Sequence, residues 1–297
     1  MFLGIEIGGT KLQLGLGRGD GEILALWRGT VEKGSGGDGI RKQIAVAVPE
    51  LLAAANATEL RGIGVGFGGP TDDATQSVIK SHHIDGWNGF PLAAWLTEML
   101  QLPCAICNDA DVAGFAEARF GAGRGYSPVF YITVGTGIGG GLIIDGTIYR
   151  GCGKGAAEIG HLIVPMGHDQ RILEAWAAGW GIEARAVELG MEPVTVRELG
   201  RLARSGESLA VQLLDDATTA LAFAIRQVIP LLCPQRIVIG GGVSLLGDDL
   251  FFDPLRTKLE VNRFEAFAGL TEIVPAALGE AVVIHGALAL ARQKFGE

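Results

Sequence analysis

The hydrophobic positions of this chain change period along its length, and each change marks an element. Near the N-terminus, FLGIEIGGTKLQLGLG alternates apolar and polar residues around a glycine pair, with Leu12, Leu14 and Leu16 on one face. A period of two on both sides of Gly8-Gly9 predicts strand, tight turn, strand. Over residues 38–56 the spacing becomes helical, and Ile40, Ile44, Ala47, Val48 and Leu51 share one face. GIGVGFGGP reads as a buried strand stopped by glycine and proline. PLAAWLTEML reads as a short helix opened by Pro91, LPCAICND as a further strand, and residues 110–120 as a helix.

The same order then recurs. PVFYITVGTGIGGGLIIDGTIYRG gives strand, glycine turn, strand, and after an Asp-Gly turn a third strand. Helical periodicity follows over 171–190, 195–205 and 207–230, RIVIGGGVS reads as a strand running into glycines, and the tail after Gly279 reads as a helix. LGIEIGGTKLQLGLG and VFYITVGTGIGGGLII follow one logic, which predicts an α/β fold built by duplication. No Pro- or Ser-rich linker separates the halves. Two hinged lobes around a cleft are therefore expected: residues 1–113 with the C-terminal helix 280–297 packing back on them, and residues 114–279.

Composition narrows the class. Hydrophobic residues make up 48% and charged residues 19%, enough for a sizeable core and against disorder. Glycine supplies 47 of 297 residues, roughly twice its usual share of about 7%, without the triplet period of collagen. The net charge is −9 and no Lys/Arg cluster occurs, so nucleic acid is not an expected partner. The longest uncharged stretch, 126–144, holds five glycines and alternates as strands do, which predicts no membrane span there. The start of the chain has Glu6 and no basic region, unlike a signal peptide. Cys104 and Cys107 form C-x-x-C inside a predicted strand, where residues three apart face opposite sides. No second pair has zinc-like spacing, so two small core residues are expected. Isolated cysteines, Cys152 and Cys233 included, suit a reducing, cytoplasmic compartment.

The glycine bends carry the candidate chemistry. Without a Cβ, their backbone N–H groups can converge on an anion. The first bend adds Thr10 and Lys11, the second Thr136. Gly135-Thr136-Gly137-Ile138-Gly139-Gly140 fits G-x-G-x-x-G, yet that dinucleotide motif opens a helix and a strand follows here. A Walker loop is also missing. Asn108-Asp109 ends a strand, the place where open α/β sheets bind ligands. Asp109 has two readings: a cap for the following helix, or a carboxylate that takes the proton of an attacking hydroxyl, a contribution of about 10²–10⁴ in rate. Glu158, His161 and Glu174 follow the second hairpin and offer groups that read sugar hydroxyls. Their alternatives are a solvated helix face for Glu174 and a satisfied core position for His161. Trp87, Trp95, Trp176 and Trp180 read as core.

EIGGTK, GFGGP, CNDADVAGFAEARFGAG, ITVGTGIGGGLIIDG, GAAEIGH, LEAWAAGWG, IVIGGGVS and HGALALA occur in this order over almost the whole chain. In these segments it resembles the ROK family of sugar kinases and related repressors. The resemblance implies an actin-like (ribonuclease-H-like) ATPase fold, ATP and Mg2+ as cofactors, a hexose substrate, a glucokinase-like activity and a homodimer. It implies phosphate binding at Gly8, Gly9, Thr10, Lys11, Gly135, Thr136 and Gly137, and an adenosine side at Gly240, Gly241 and Gly242. It implies Asp109 as general base, with Asn108, Gly69, His83, Glu158, His161 and Glu174 on the sugar. Three departures stand out. Glu6 replaces the family's aspartate that holds the metal through water. VPMGHDQRILEAW lacks the family's zinc cysteines, so no structural zinc is expected although His161 matches a zinc-ligand histidine. His83 stands where many members have asparagine. The alternatives are a sugar-sensing regulator without catalysis and a kinase using polyphosphate. The family's repressors carry an N-terminal helix-turn-helix, which is not expected here because the sequence opens on its first strand; the intact IVIGGGVS favours a nucleotide.

Overall fold

The structure, a computed structural model, describes residues 1–55, 59–81, 84–261 and 265–296. His83 falls outside these residues. β1 (Phe2–Ile7) and β2 (Lys11–Gly17) pair antiparallel with Ile7 opposite Leu12, as alternation around the glycine pair requires. β3 (Ile23–Thr30) adds a third strand on the far side of β2. The hydrophobic pattern leaves β3 unmarked because its residues are half-buried or exposed. α1 (Gly36–Ala54) turns Ile40, Ile44, Ala47, Val48 and Leu51 inward. Next come the buried β4 (Ile63–Phe67), the short antiparallel pair β5 (Thr71–Asp72) and β6 (Ser77–Val78), and α2 (Leu92–Leu100) with Pro91 at its N-cap. β7 (Cys104–Asn108) leads directly into α3 (Asp109–Phe120).

The second half repeats the plan. β8 (Val129–Val134), β9 (Ile138–Ile144) and β10 (Thr147–Ile148) form a meander, and β11 (Ile163–Met166) and β12 (Asp169–Ile172) a hairpin. α4 (Leu173–Ala177), α5 (Gly179–Glu188), α6 (Val196–Arg204) and α7 (Ser208–Leu232) follow. β13 (Arg236–Gly240), α8 (Asp253–Glu260), β14 (Glu272–Pro275) and α9 (Val282–Phe295) end the chain. One sheet has the order β3-β2-β1-β4-β7 and the other β10-β9-β8-β13-β14. In each, the last three strands of the order run parallel. The two sheets thus have one topology, the duplication expected of an actin-like ATPase fold.

The chain divides into two compact units: residues 1–125, 141–156 and 277–297, and residues 126–140 and 157–276. It leaves the first unit after Gly125 rather than near 113, and all of α3 belongs to that unit. In the first unit, Leu3, Ile5, Leu14 and Val65 pack with Ile44, Leu92 and Leu96 of the helices on one face. Phe2 packs with Ile284, Leu288 and Ala291 of α9. Each of the larger side chains, Phe, Leu, Ile or Val, contributes roughly 1.5–3 kcal/mol by leaving water.

The helix expected over 171–190 is a correction. Its first residues, Arg171 and Ile172, belong to β12 and pair with β11 instead, and Ala178 is extended (φ −75°, ψ 160°), which splits the rest into α4 and α5. The break is held by tertiary bonds that periodicity does not reveal: Gly179 N–H donates to the Gly135 carbonyl at 2.8 Å. α7 is long and apolar enough to cross a membrane by length and composition. Its two acidic residues are ion-paired within its own unit, Asp216 to Arg185 at 2.7 Å and Asp215 to Lys258 at 2.6 Å, as in a core helix.

Inside the first unit, α9 lies so close to α3 that a Cβ on Gly286 would stand 2.0 Å from the Val112 carbonyl oxygen. Alanine at position 286 gains about 1 kcal/mol of helix propensity, but backbone cannot swing aside from the clash. Gly286→Ala is expected to destabilise the protein by about 1–3 kcal/mol in urea unfolding; an unchanged or raised midpoint would refute the close approach.

Candidate functional site

In the first unit, the carboxyl ends of β1, β4 and β7 converge. Gly8 N–H donates to the Lys11 carbonyl at 2.9 Å and closes the first glycine hairpin, leaving Thr10 exposed. Gly68 N–H donates to the Ile7 carbonyl at 2.8 Å, which brings the end of β4 against that hairpin. A Cβ on Gly68 would lie 3.3 Å from Asp109 Oδ2 and 3.4 Å from the Gly8 Cα. Gly8, Gly68 and the Asp109 carboxylate therefore form one cluster. Asn108 caps α3, its Oδ1 accepting from Ala110 N–H at 2.9 Å and Asp111 N–H at 3.3 Å, while its Nδ2 donates to the Gly69 carbonyl at 3.1 Å. The cap is thus Asn108, and Asp109 stands one residue inside the helix. Its Oδ1 accepts from the adjacent Ala110 N–H at 2.8 Å.

Glu6 is buried behind this cluster. Its Oε1 pairs with Lys11 Nζ at 2.9 Å, and its Oε2 has no hydrogen-bond partner. Burial pushes its carboxyl up to about 7; Lys11 opposes the rise, and the charges of Asp109 and Glu280 add to it. Lys11 Nζ also donates to the Glu280 carbonyl at 3.1 Å.

In the second unit, two glycine loops stand at the carboxyl ends of the parallel β8 and β13. Gly135 N–H donates to the Gly137 carbonyl at 2.9 Å. Gly241 has φ +90°, and a Cβ there would meet the Val134 carbonyl at 2.5 Å. Val243 N–H donates to that same carbonyl at 2.9 Å, which fixes the 240–242 loop beside β8. Glu174 joins the elements: Oε2 accepts from Ile138 N–H at 2.8 Å and Oε1 from Trp180 Nε1 at 3.2 Å. Glu174 is thus not a solvated helix face. A Cβ on Gly137 would stand 2.7 Å from Glu174 Oε2, so a side chain there would displace the Glu174 carboxylate. His161 and Glu158 are exposed on a short 3-10 turn, and Leu173 N–H donates to the Leu162 carbonyl at 2.8 Å, holding that turn beside Glu174. His161 is therefore not a core residue.

Some polar groups escaped the sequence reading. Arg150 is nearly buried and bonds Asp111, Asp73 Oδ1 at 3.1 Å and the Thr71 carbonyl at 3.0 Å, tying the 71–73 segment to the start of α3. The sequence pattern puts Arg150 at the end of the strand after the Asp-Gly turn, but nothing in spacing names its partners. Glu117, a charge in the apolar run AGFAEARF, was a signal left unused. Cys104 and Cys107 line β7 as free thiols, Cys104 pushed up to about 12 by burial and Cys107 also raised by burial. Among the described residues no cluster of three or more His, Cys, Asp or Glu side chains is arranged to hold a metal.

The sequence profile of the ROK family matches residues 2–294. A glucokinase of Halalkalibacterium halodurans is 31% identical, the alignment covering 99% of this chain and 96% of the relative. The crystal structure of a ROK hexokinase from Thermus thermophilus superposes with a TM-score of 0.85 at 29% identity, over 99% of this chain and 98% of that one. A ROK family glucokinase from Streptomyces griseus, in complex with glucose and AMPPNP, gives a TM-score of 0.78 at 29% identity over 98% and 99%. With a match over nearly its whole length and both sheets in the shared topology, this chain belongs to the ROK family.

Proposed function

We propose that this protein transfers the γ-phosphoryl group of ATP to a hydroxyl of glucose or a related hexose. The observation that carries the reading is the cluster at the carboxyl ends of β1, β4 and β7, where a glycine hairpin with its lysine meets the Asp109 carboxylate. Family membership, and similarity to a glucokinase that holds glucose and AMPPNP, support it. In the reaction the sugar oxygen attacks the γ-phosphorus, a P–O bond forms, and the bond to the departing ADP breaks. Asp109 takes the hydroxyl proton. Backbone N–H groups of the hairpins and Lys11 stabilise charge on the phosphates, the main way proteins speed this chemistry. Gly135, Thr136 and Gly137 are assigned to phosphate and Gly240, Gly241 and Gly242 to the adenosine side. Asn108, Gly69, Glu158, His161 and Glu174 are assigned to the sugar. The resemblance extends the reading to a cytoplasmic homodimer.

Glu6 fits a role toward Mg2+. Its Oε2 is buried and unpartnered, an acceptor open to a water ligand of the metal. Mg2+ usually keeps several waters and takes one or two carboxylates with substrate phosphates, so no closed cage is needed. Bound there, it would neutralise charge on the β- and γ-phosphates.

Two outcomes are expected. Purified protein should consume ATP with at least one of glucose, N-acetylglucosamine, N-acetylmannosamine, fructose or allose, and faster than it consumes polyphosphate; no turnover with any sugar and either donor would sink the kinase reading. Asp109→Asn should lower kcat by about 10²–10⁴ while AMPPNP binding stays close to wild type, and retained turnover would remove Asp109 as the base.

Glu6 also predicts a pH dependence of stability in metal-free protein. Its carboxyl titrates near 7 when folded and near the ordinary 4.5 when unfolded. Between these values the native state holds a proton that the unfolded chain has released. Its contribution to stability is therefore full below pH 4.5 and lost as pH rises through 7. The difference in unfolding free energy between wild type and Glu6→Gln should fall by roughly 3 kcal/mol from pH 4.5 to 8 in EDTA. Parallel stability curves would contradict it.

A further inference from the structure

Beyond Asp109 and Asp111, α3 carries a third carboxylate, about two turns on from Asp109. Glu117 is fully buried, on a helix face it shares with Ala113 and Ala116. A carboxylate in such a place needs hydrogen-bond partners, and Glu117 takes them from the main chain. Oε1 accepts from Ala277 N–H at 2.9 Å and Leu278 N–H at 2.8 Å, and Oε2 accepts from Ala122 N–H at 2.8 Å. The carboxylate thereby fastens the C-terminal half of α3 to the segment that precedes α9.

That segment reaches the first glycine hairpin. It continues into the 3-10 turn Gly279–Ala281, where the Glu280 carbonyl accepts from Lys11 Nζ at 3.1 Å and Gln13 Nε2 at 3.5 Å. One continuous path of bonds and helix backbone thus runs from Asp109 along α3 to Glu117, then through Ala277 and Leu278 to Glu280 and Lys11. All of it lies within the first unit.

We propose that Glu117 is a positioning residue for phosphoryl transfer, holding the 277–281 segment so that Lys11 keeps its place relative to Asp109. The inference rests on the kinase reading above. A carboxylate suits the task because both its ends only accept. Glutamine of the same shape must turn its NH2 toward either Ala122 N–H or the Ala277 and Leu278 pair, and so loses one side of the clasp.

The test uses AMPPNP calorimetry and steady-state kinetics on wild type, Glu117→Gln, Lys11→Met and the double variant, with Glu198→Gln on the surface of α6 as control. Glu117→Gln should bind AMPPNP about 10-fold more weakly and raise KM for ATP more than KM for the sugar. Its effect should largely vanish in the Lys11→Met background, as coupled sites require. A folded Glu117→Gln with wild-type AMPPNP affinity, or fully additive effects, overturns the proposal. Should Glu117→Gln not fold, hydrogen exchange on wild type decides: AMPPNP should slow exchange at Ala277 and Leu278, and unchanged rates overturn the link. A wild type that neither binds AMPPNP nor phosphorylates any sugar would instead overturn the kinase reading itself.

Discussion

The first unit depends on how closely α9 can approach α3 and the strands beside it. Gly286 brings the α9 backbone onto the Val112 carbonyl, and Gly64 brings β4 within 1.9 Å of the Ala287 carbonyl for any added Cβ. These contacts are backbone against backbone, so the separation is fixed by covalent geometry rather than by adjustable side chains. Everything that bears chemistry in this unit hangs from the elements so joined. Asp109 opens α3, Lys11 follows β1 and its glycine bend, and Glu280 stands just before α9. A helix at the end of the sequence thereby fixes residues at its beginning.

The same packing explains the unusual state of Glu6. It lies opposite Gln13 on the neighbouring strand, and both residues are buried with one side-chain oxygen unpartnered. Two buried acceptors left without a donor are costly in a closed interior. A proton on Glu6, or a water, relieves the cost, which is why burial outweighs Lys11 in setting its titration. Lys11 meanwhile serves a carboxylate and a carbonyl at once, which holds its ammonium beside the hairpin.

What the sequence made legible follows from signal strength. β1, β2, β4, β8 and β13 are buried almost throughout and their apolar runs end in glycine, so their existence and the loops at their ends could be read directly. α1 was legible because a full apolar stripe faces the sheet. The missed elements are weak in the same measure. β3 and β14 are edge strands with half-exposed residues, β11 and β12 are short, and α8 has only Leu255 and Leu259 buried. α4 and α5 were read as one helix because both halves bury their apolar residues, while the break at Ala178 is imposed by the loop at Gly135. Asp109 could be found from its place at a strand end, but only Asn108's two bonds to the start of α3 settled which residue caps the helix.

Asn108 and Glu174 show why a residue type at a motif position carries less than its geometry. Asn108 spends its oxygen on two helix N–H groups and one amide proton on Gly69, which leaves one N–H for any ligand. Glu174 spends one lone pair of each oxygen on Ile138 and Trp180, which leaves the others. Neither side chain can rotate toward a ligand without breaking bonds that shape a glycine loop. The hydrogen-bonding capacity they have left is therefore small in number but fixed in direction, and fixed direction is what orientation-dependent chemistry needs. Glu158 and His161, exposed and carried on a three-residue 3-10 turn, have the opposite character. Their exposed side chains retain more hydrogen-bonding capacity than either Asn108 or Glu174. Fixed hydrogen-bonding direction in this chain thus comes from side chains committed to the fold, and adaptable capacity from exposed ones that are not.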